Sequence, residues 1–289
     1  MTPSSDTDLA PAADPTSPTA PPGPLAAARA EIDALDDALH DLVMRRAAVV
    51  AGLAASRAKG GTNPLRPGRE AMILRRLLAR HDGALPTIAL VRLWREILAS
   101  SSAQQGGFSV AVHSRGSEQA RLAREHFGSL TPLRSLPRAA DALAAVAAGE
   151  AQVAVLPLPE EAEPAEAAWW TNLDSPRLQV IARLPFLAAG AGPEALAVAP
   201  GAADPSGADR SLLRLEVTDD RTPTDFDIAL TAAGLSPRML MVRRDGGVTR
   251  ALAEVDGVLD IADPRLALLP VERALPLGFY AVPVRGDQG

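Results

Sequence analysis

Apolar residues in the first hundred positions return at alternating steps of three and four. Leu25, Ala28, Ile32, Leu35, Leu39 and Leu42 make one such stripe, the mark of a helix with a single apolar face. The stripe continues through Val49, Val50 and Leu53 to about Ala58, where Gly60-Gly61 stops it. A helix of this length exceeds what a compact monomer needs, so the stripe predicts packing against a second chain. A second helix is predicted from Pro67 to Arg80, carried by Ile73, Leu74, Leu77 and Leu78 and closed by Asp82-Gly83. A third runs from Thr87 to Gln105, with Leu90, Leu93, Trp94, Ile97 and Leu98, and ends at Gly106-Gly107. Three helices define a first domain over 25–107.

From Phe108 the period falls to two. Strands are predicted at 108–112, 130–136 and 152–156, separated by helices at 118–127 and 139–148, which is a βαβαβ half of an α/β sheet. A Glu/Pro/Ala-rich loop with Trp169-Trp170 follows, then strands at 178–184 and 195–199. The last part reads strand 211–217, helix 224–233, strand 237–243, strand 251–259, helix 264–269 and strand 277–284. That βαββαβ order is the ferredoxin-like arrangement. The expected division is a tail over 1–24, the helical domain to 107, an α/β segment over 108–209, and a ferredoxin-like α+β domain over 210–286.

Composition narrows the function. The absence of cysteine excludes disulfides, thiolate metal sites and cysteine nucleophiles. A net charge of −6 argues against a general nucleic-acid binder. No apolar run approaches the roughly 20 residues that span a bilayer. The Pro/Ala/Ser/Thr/Asp mixture of 1–24 lacks the basic start and apolar stretch of a signal peptide, so a disordered tail on a cytoplasmic protein is expected. Lys59 is the sole lysine. Arginine therefore carries nearly all the positive charge, and an arginine alone says little.

Position says more. Arg46, Val50, Leu53 and Arg57 follow offsets of 0, 4, 7 and 11, which sets both arginines on one side of the first helix. Trp94, Leu98, Ser101 and Gln105 repeat those offsets on the third helix, and Glu70 aligns with Leu74 and Leu77 on the second. An unpaired buried guanidinium costs several kcal/mol, so such a set calls for anions, either Glu70 or a bound ligand. Arginine forks grip carboxylates in bidentate fashion, and a small multi-carboxylate ligand suits them. Arg29 lies about 260° around the helix from Arg46 at about 100° per residue, so it reaches such a site only from another chain. The same pattern is compatible with solvated or salt-bridged arginines on a bundle scaffold or a coiled-coil partner module.

The motifs Leu25-Ala-Ala-Ala-Arg29-Ala-Glu-Ile-Asp33-Ala-Leu-Asp36, Leu42-Val-Met-Arg-Arg46, Arg66-Pro-Gly-Arg69-Glu70 and Leu93-Trp-Arg-Glu-Ile97 stand in order over residues 25–105. Together they resemble the all-helical (type II) chorismate mutase family. The resemblance implies an intertwined helical homodimer that converts chorismate to prephenate without cofactor or metal. It implies that Arg46, with Arg29 from the other subunit, binds the two carboxylates. Arg57 takes the place of the family's lysine, and Gln105 donates to the ether oxygen. Glu70 accepts from the ring hydroxyl, while Arg69 and Ser101 line the site. Two departures stand out. Arg57 replaces lysine, with Lys59 nearby as a substitute, and Arg66 stands where several members carry an aspartate.

Further along, Ser114-Arg-Gly116-Ser117-Glu118-Gln119-Ala120, Phe127-Gly128 and Ala148-Gly149-Glu150-Ala-Gln-Val-Ala-Val-Leu-Pro157 resemble the first lobe of prephenate dehydratase. Ala253-Glu-Val-Asp-Gly257, Asp263-Pro-Arg-Leu266 and Leu277-Gly-Phe-Tyr-Ala-Val-Pro283 resemble the ACT regulatory domain. The departures are larger here. Segment 108–209 is short for two α/β lobes, and the dehydratase's Thr-Arg-Phe is missing: Thr249-Arg250 is followed by alanine. Leu158-Pro159-Glu160 stands where the family shows Glu-Asn-Ser. The expectation is therefore a mutase carrying a degenerate, inactive dehydratase-like segment and an ACT-like domain without recognisable phenylalanine-binding motifs. The alternatives are a bifunctional mutase/dehydratase and a non-catalytic regulatory protein that keeps the mutase fold.

The remaining candidates read as structural. His40, His81, His113 and His126 share no metal-ligand spacing. Asp33, Asp36, Asp37 and Asp41 read as a solvated helix face, and Trp169-Trp170 as a core or interdomain plug.

Overall fold

A computed structural model describes residues 23–57, 65–103, 107–188 and 190–286. Residues 1–22 of the expected tail, Lys59, the Gly60-Gly61 stop, Gln105 and Gly106 lie outside these. The chain divides into two compact units, Met1–Val49 and Val50–Gly289.

Helix α1 runs unbroken over Pro24–Arg57. In the first unit its stripe of Leu25, Ile32, Leu35, Leu39 and Leu42 is exposed in the single chain, Leu35 at 63%. Asp33, Asp36, Asp37 and Asp41 are exposed as expected.

The second unit holds α2 (Pro67–Ala79) and α3 (Thr87–Ala103), then the strands and remaining helices. Strand β1 (Val110–His113), α4 (Glu118–Phe127), β2 (Leu133–Leu136), α5 (Ala139–Ala147) and β3 (Val153–Pro157) form the predicted βαβαβ unit. In it β2 and β3 flank β1, both parallel to it. Strand period explains the two layers around this sheet. Val110, Val112, Val153 and Val155 face Leu122, Ala123 and Phe127 of α4. Ala111, Ala154 and Leu156 face α5, together with Trp169 and Trp170.

Strands β4 (Leu178–Leu184) and β6 (Ala195–Pro200) extend the sheet antiparallel beyond β3, while the short β5 (Leu187–Ala188) stands apart. Strand β7 (Asp209–Val217), α6 (Pro223–Ala232), β8 (Pro237–Asp245), β9 (Val248–Asp256) and β10 (Arg273–Ala281) complete it. The last four strands lie in the order β10-β7-β9-β8, all antiparallel. This is the strand order the βαββαβ pattern implies. The second helix of that pattern, predicted at 264–269, is only a five-residue 3-10 turn at Pro264–Leu268, and none of its residues is buried. The strand predicted at 277–284 starts earlier, at Arg273, and stops at Ala281. Pro283, which has no N–H to give a ladder, separates it from β11 (Val284–Arg285), which pairs with β5.

The nine strands form one sheet, β2-β1-β3-β6-β4-β10-β7-β9-β8, that passes position 209 without a break. Its seam is the contact of β10 with β4 at a single registered pair, Gly278 with Val180. Gly278 has φ +119°, and a Cβ there would lie 2.3 Å from the Val180 carbonyl oxygen. Only glycine meets both demands.

Candidate functional site

Helix α2 starts at a residue that cannot cap it. Arg66 offers no side-chain acceptor to the first turn, and Pro67 fills the first helical position, where a missing N–H costs nothing. The cap comes from far along the chain. Asp204 accepts from the Gly68 and Arg69 amides, each at 3.0 Å, and from Arg66 Nε at 3.2 Å. Arg66, the departure from the family's aspartate, is therefore paired to this distant carboxylate. Further along the helix, Arg75 donates to the carbonyls of Ser206, Ala208 and Val282 and to the Ser206 hydroxyl at 2.8–3.2 Å. It thus pins α2 to the loop before β7 and to the end of β10.

On the facing side, Arg95 of α3 donates to Glu70 Oε2 at 2.9 Å. Arg95 is 5% exposed, and its guanidinium lies 5.5 Å from the centre of the Phe186 ring, which Arg75 also approaches, at 5.6 Å. Burial holds the Arg95 pKa below its ordinary value, and the Glu70 carboxylate opposes that shift. His126 of α4 is buried nearby. Burial first, and the Arg95 charge second, press its pKa well below 6.5, so it is a neutral imidazole at pH 7. A cavity of about 320 Å³ lies beside this group, walled by Ile88, Val91, Leu122, Phe186 and Arg95.

The structure distributes the residues singled out from sequence unevenly. Arg29 is exposed on α1, Arg46 is half-buried on the same helix, and Arg57 is its last residue. Arg69 is exposed at the start of α2. Glu70 is half-buried, and Ser101 is buried with its hydroxyl donating to the Ile97 carbonyl at 2.8 Å. Gln105 is outside the described residues. The buried stripe of α3 is Val91, Arg95, Leu98 and Ser101; it shares Leu98 and Ser101 with the expected Trp94, Leu98, Ser101 and Gln105, while Trp94 is half-buried. On α2 Gly68, Ala71 and Leu74 are buried, while Glu70 and Leu77 of the expected alignment are half-buried. Between the two helices Phe186 packs on Ala71, Leu74 and Leu98.

Arg95 is the functional candidate that the spacing argument missed. Its signal was present, since Val91, Arg95 and Leu98 stand at helical steps with the charge interrupting an apolar stripe, as Arg46 does in α1. Among the described residues no group of three or more His, Asp or Glu side chains is arranged to hold a metal ion. No helix among them is long and apolar enough to cross a membrane.

Residues 28–106 match the sequence model of chorismate mutase type II. The bifunctional chorismate mutase/prephenate dehydratase of Pseudomonas aeruginosa is 30% identical over 145 residues, covering 48% of this chain and 40% of that protein. The protein of the same name from Stutzerimonas stutzeri is 30% identical over 147 residues, with the same coverage. Alignments of this length extend beyond the helical segment into the sheet, and the chain spans about 40% of the length of these curated relatives. Among solved structures, one titled a novel type of quorum quenching acylase aligns at 18% identity and TM-score 0.48, covering 61% of this chain and 96% of that one. A prephenate dehydratase from Streptococcus mutans aligns at 14% identity and TM-score 0.46, covering 62% of this chain and 100% of that one. The chain thus joins a helical segment that matches the chorismate mutase type II model to a mixed α/β sheet, and in sequence it is similar to bifunctional mutase/dehydratases.

Proposed function

We propose that the protein is a chorismate mutase acting in aromatic amino acid biosynthesis, with the reaction carried by its helical segment. The observation that carries this reading is the family match over 28–106, which spans every residue of the proposed site. The rearrangement to prephenate is pericyclic and calls for no nucleophile. The protein has to hold the enolpyruvyl side chain over the ring, which removes entropy from the barrier. It also has to stabilise charge growing on the breaking ether oxygen, a task for donors placed beforehand.

In this reading Arg46 and the Arg29 of a second copy bind the two carboxylates. Arg57 and Gln105 serve the ether oxygen, and a glutamine amide donates at any pH. Glu70 accepts from the ring hydroxyl, steadied by its ion pair to Arg95, while Arg69 and Ser101 line the site. The exposed stripe of α1 supports a dimer through that helix, because apolar area of this extent favours burial. The β10-β7-β9-β8 order supports an ACT-like reading of the C-terminal strands. A cytoplasmic location follows from the biosynthetic role.

The test is loss of chorismate absorbance with purified protein, run on the wild type and on Arg29→Ala and Arg46→Ala, alone and mixed. We expect a wild-type rate well above background, each variant inactive, and partial recovery on mixing as heterodimers form one intact site. A wild-type rate no greater than the uncatalysed one would sink the enzyme reading. No recovery despite subunit exchange would sink the shared site.

A further inference from the structure

The face of the C-terminal strands turned away from α6 carries a row of charges that does not balance. Strand register sets Arg243 of β8 opposite Arg250 of β9, Arg250 opposite Glu216 of β7, and Glu216 opposite Arg273 of β10. Arg214, two residues before Glu216, projects from the same face. Four arginines therefore surround one glutamate. Like charges directly opposite on paired strands are destabilising, and Arg243 and Arg250 are such a pair.

The distances show how thinly the single carboxylate is spread. Glu216 Oε1 lies 2.9 Å from Arg214 Nε and 3.6 Å from Arg250 Nε, and Oε2 lies 3.9 Å from Arg273 Nη1. Among the described residues Arg243 has no carboxylate in ion-pair reach; its Nη1 donates to the Glu163 backbone carbonyl at 2.6 Å. The Nε groups of Arg214, Arg243 and Arg250 are buried, and none has a hydrogen-bond partner of sound geometry. Burial lowers the Arg214 pKa and Glu216 raises it, while Arg273 and Arg250 lower it again, so the cluster repels itself.

A purely structural role accounts for part of this set. Arg214 Nη1 donates to the carbonyls of Trp170 and Thr171 at 3.0 and 2.8 Å and so holds the tryptophan loop down. It does not account for Arg250 and Arg273, whose carboxylate is the shared Glu216. Their side chains are 22% and 56% exposed, so solvent reaches the row from that end. Guanidinium forks suit oxyanions, and four positive charges against one leave an excess that a monoanion reduces only in part.

We propose that this row is a binding site for a small oxyanion of at least two negative charges, with Arg243, Arg250 and Arg273 as its cradle. A phosphate group and a compact dicarboxylate share that chemistry. The site is separate from the mutase residues and stands whether or not the mutase reading holds.

Thermal unfolding of the full chain tests it, with inorganic phosphate or malonate replacing chloride at matched ionic strength. We expect a saturable rise in Tm of roughly 5–10 °C at a hundredfold excess over Kd. Arg243→Gln and Arg250→Gln should each lose more than half of that increment. Arg92→Gln on α3, whose side chain is 64% exposed, should keep it. A response to phosphate alone identifies a phosphate group as the ligand, and a response to both identifies any compact dianion. No saturable rise with either anion overturns the site. So does a rise that both glutamine variants retain, since that increment belongs to some other group of cations.

Discussion

The most informative single residues in this chain are charges that stand where helical spacing asks for an apolar side chain. Arg46 was legible that way from sequence, and Arg95 obeys the same rule between Val91 and Leu98. Its partner was half legible: Glu70 was marked as an anion for buried arginines, but the spacing pointed to α1 rather than to Arg95. Sequence cannot give the packing of Phe186 on α2 and α3, because that aromatic lies far downstream of both helices. His126 is the clearest residue-scale consequence. Its folded pKa is depressed well below 6.5 by burial and by Arg95, whereas in the unfolded chain it returns to about 6.5. The unfolded state then binds the extra proton as pH falls through about 6.5, so this residue's contribution is present above that pH and is lost below it. Urea midpoints should therefore drop from pH 7.5 to 5.5, and His126→Leu should flatten that part of the profile. An unchanged slope in the variant would assign the acid sensitivity elsewhere.

Elements were read well wherever a local period defined them. Helix α4 and strand β4 fall on their expected bounds, because an amphipathic helix and a buried strand each carry their own pattern. What sequence withheld were ends and short pieces fixed by distant partners. The β5–β11 pair is two residues long on each side, too short for any period. The start of α2 is set by Asp204, more than 130 positions away. Gly68 belongs to the same arrangement, since a Cβ there would lie 1.8 Å from the Asp204 backbone oxygen. Losing a capping acceptor costs about 1–2 kcal/mol. Asp204→Ala should lower stability by about that amount in urea unfolding. If the proposed mutase site is right, it should also weaken chorismate binding more than turnover, because Arg69 and Glu70 sit on the turn that it anchors. A variant with wild-type stability would show that Pro67 and Arg66 start the helix unaided.

For the whole molecule, the sheet is the decisive feature. From sequence the βαβαβ unit and the βαββαβ pattern read as separate segments. The structure joins them at Gly278 and Val180, a seam invisible to periodicity because it is one close backbone contact. Arg183 and Tyr280 reinforce it from β4 and β10, both donating to Glu254 Oε2 of β9, at 2.8 and 2.7 Å. In an open α/β sheet, ligands bind beyond the carboxyl ends of the parallel strands where the strand order reverses, which here is between β1 and β3. The protein's own side chains fill that place. Arg115, just past β1, donates to the Leu158 carbonyl at 3.2 Å and pairs with Glu160 at 2.5 Å and with Glu163. Trp170 Nε1 donates to the other Glu163 oxygen at 3.1 Å. Burial raises the Glu163 pKa, and Arg115 and Trp170 oppose that shift. Dehydration of prephenate needs a donor free to assist the departing hydroxyl, and the buried Glu163 carboxyl at this edge is committed to an ion pair. Full-length protein given prephenate at neutral pH should therefore yield no phenylpyruvate above the buffer blank. Enzyme-dependent phenylpyruvate, abolished by Arg115→Ala or Glu163→Gln, would show instead that this ion pair opens to form a working dehydratase site.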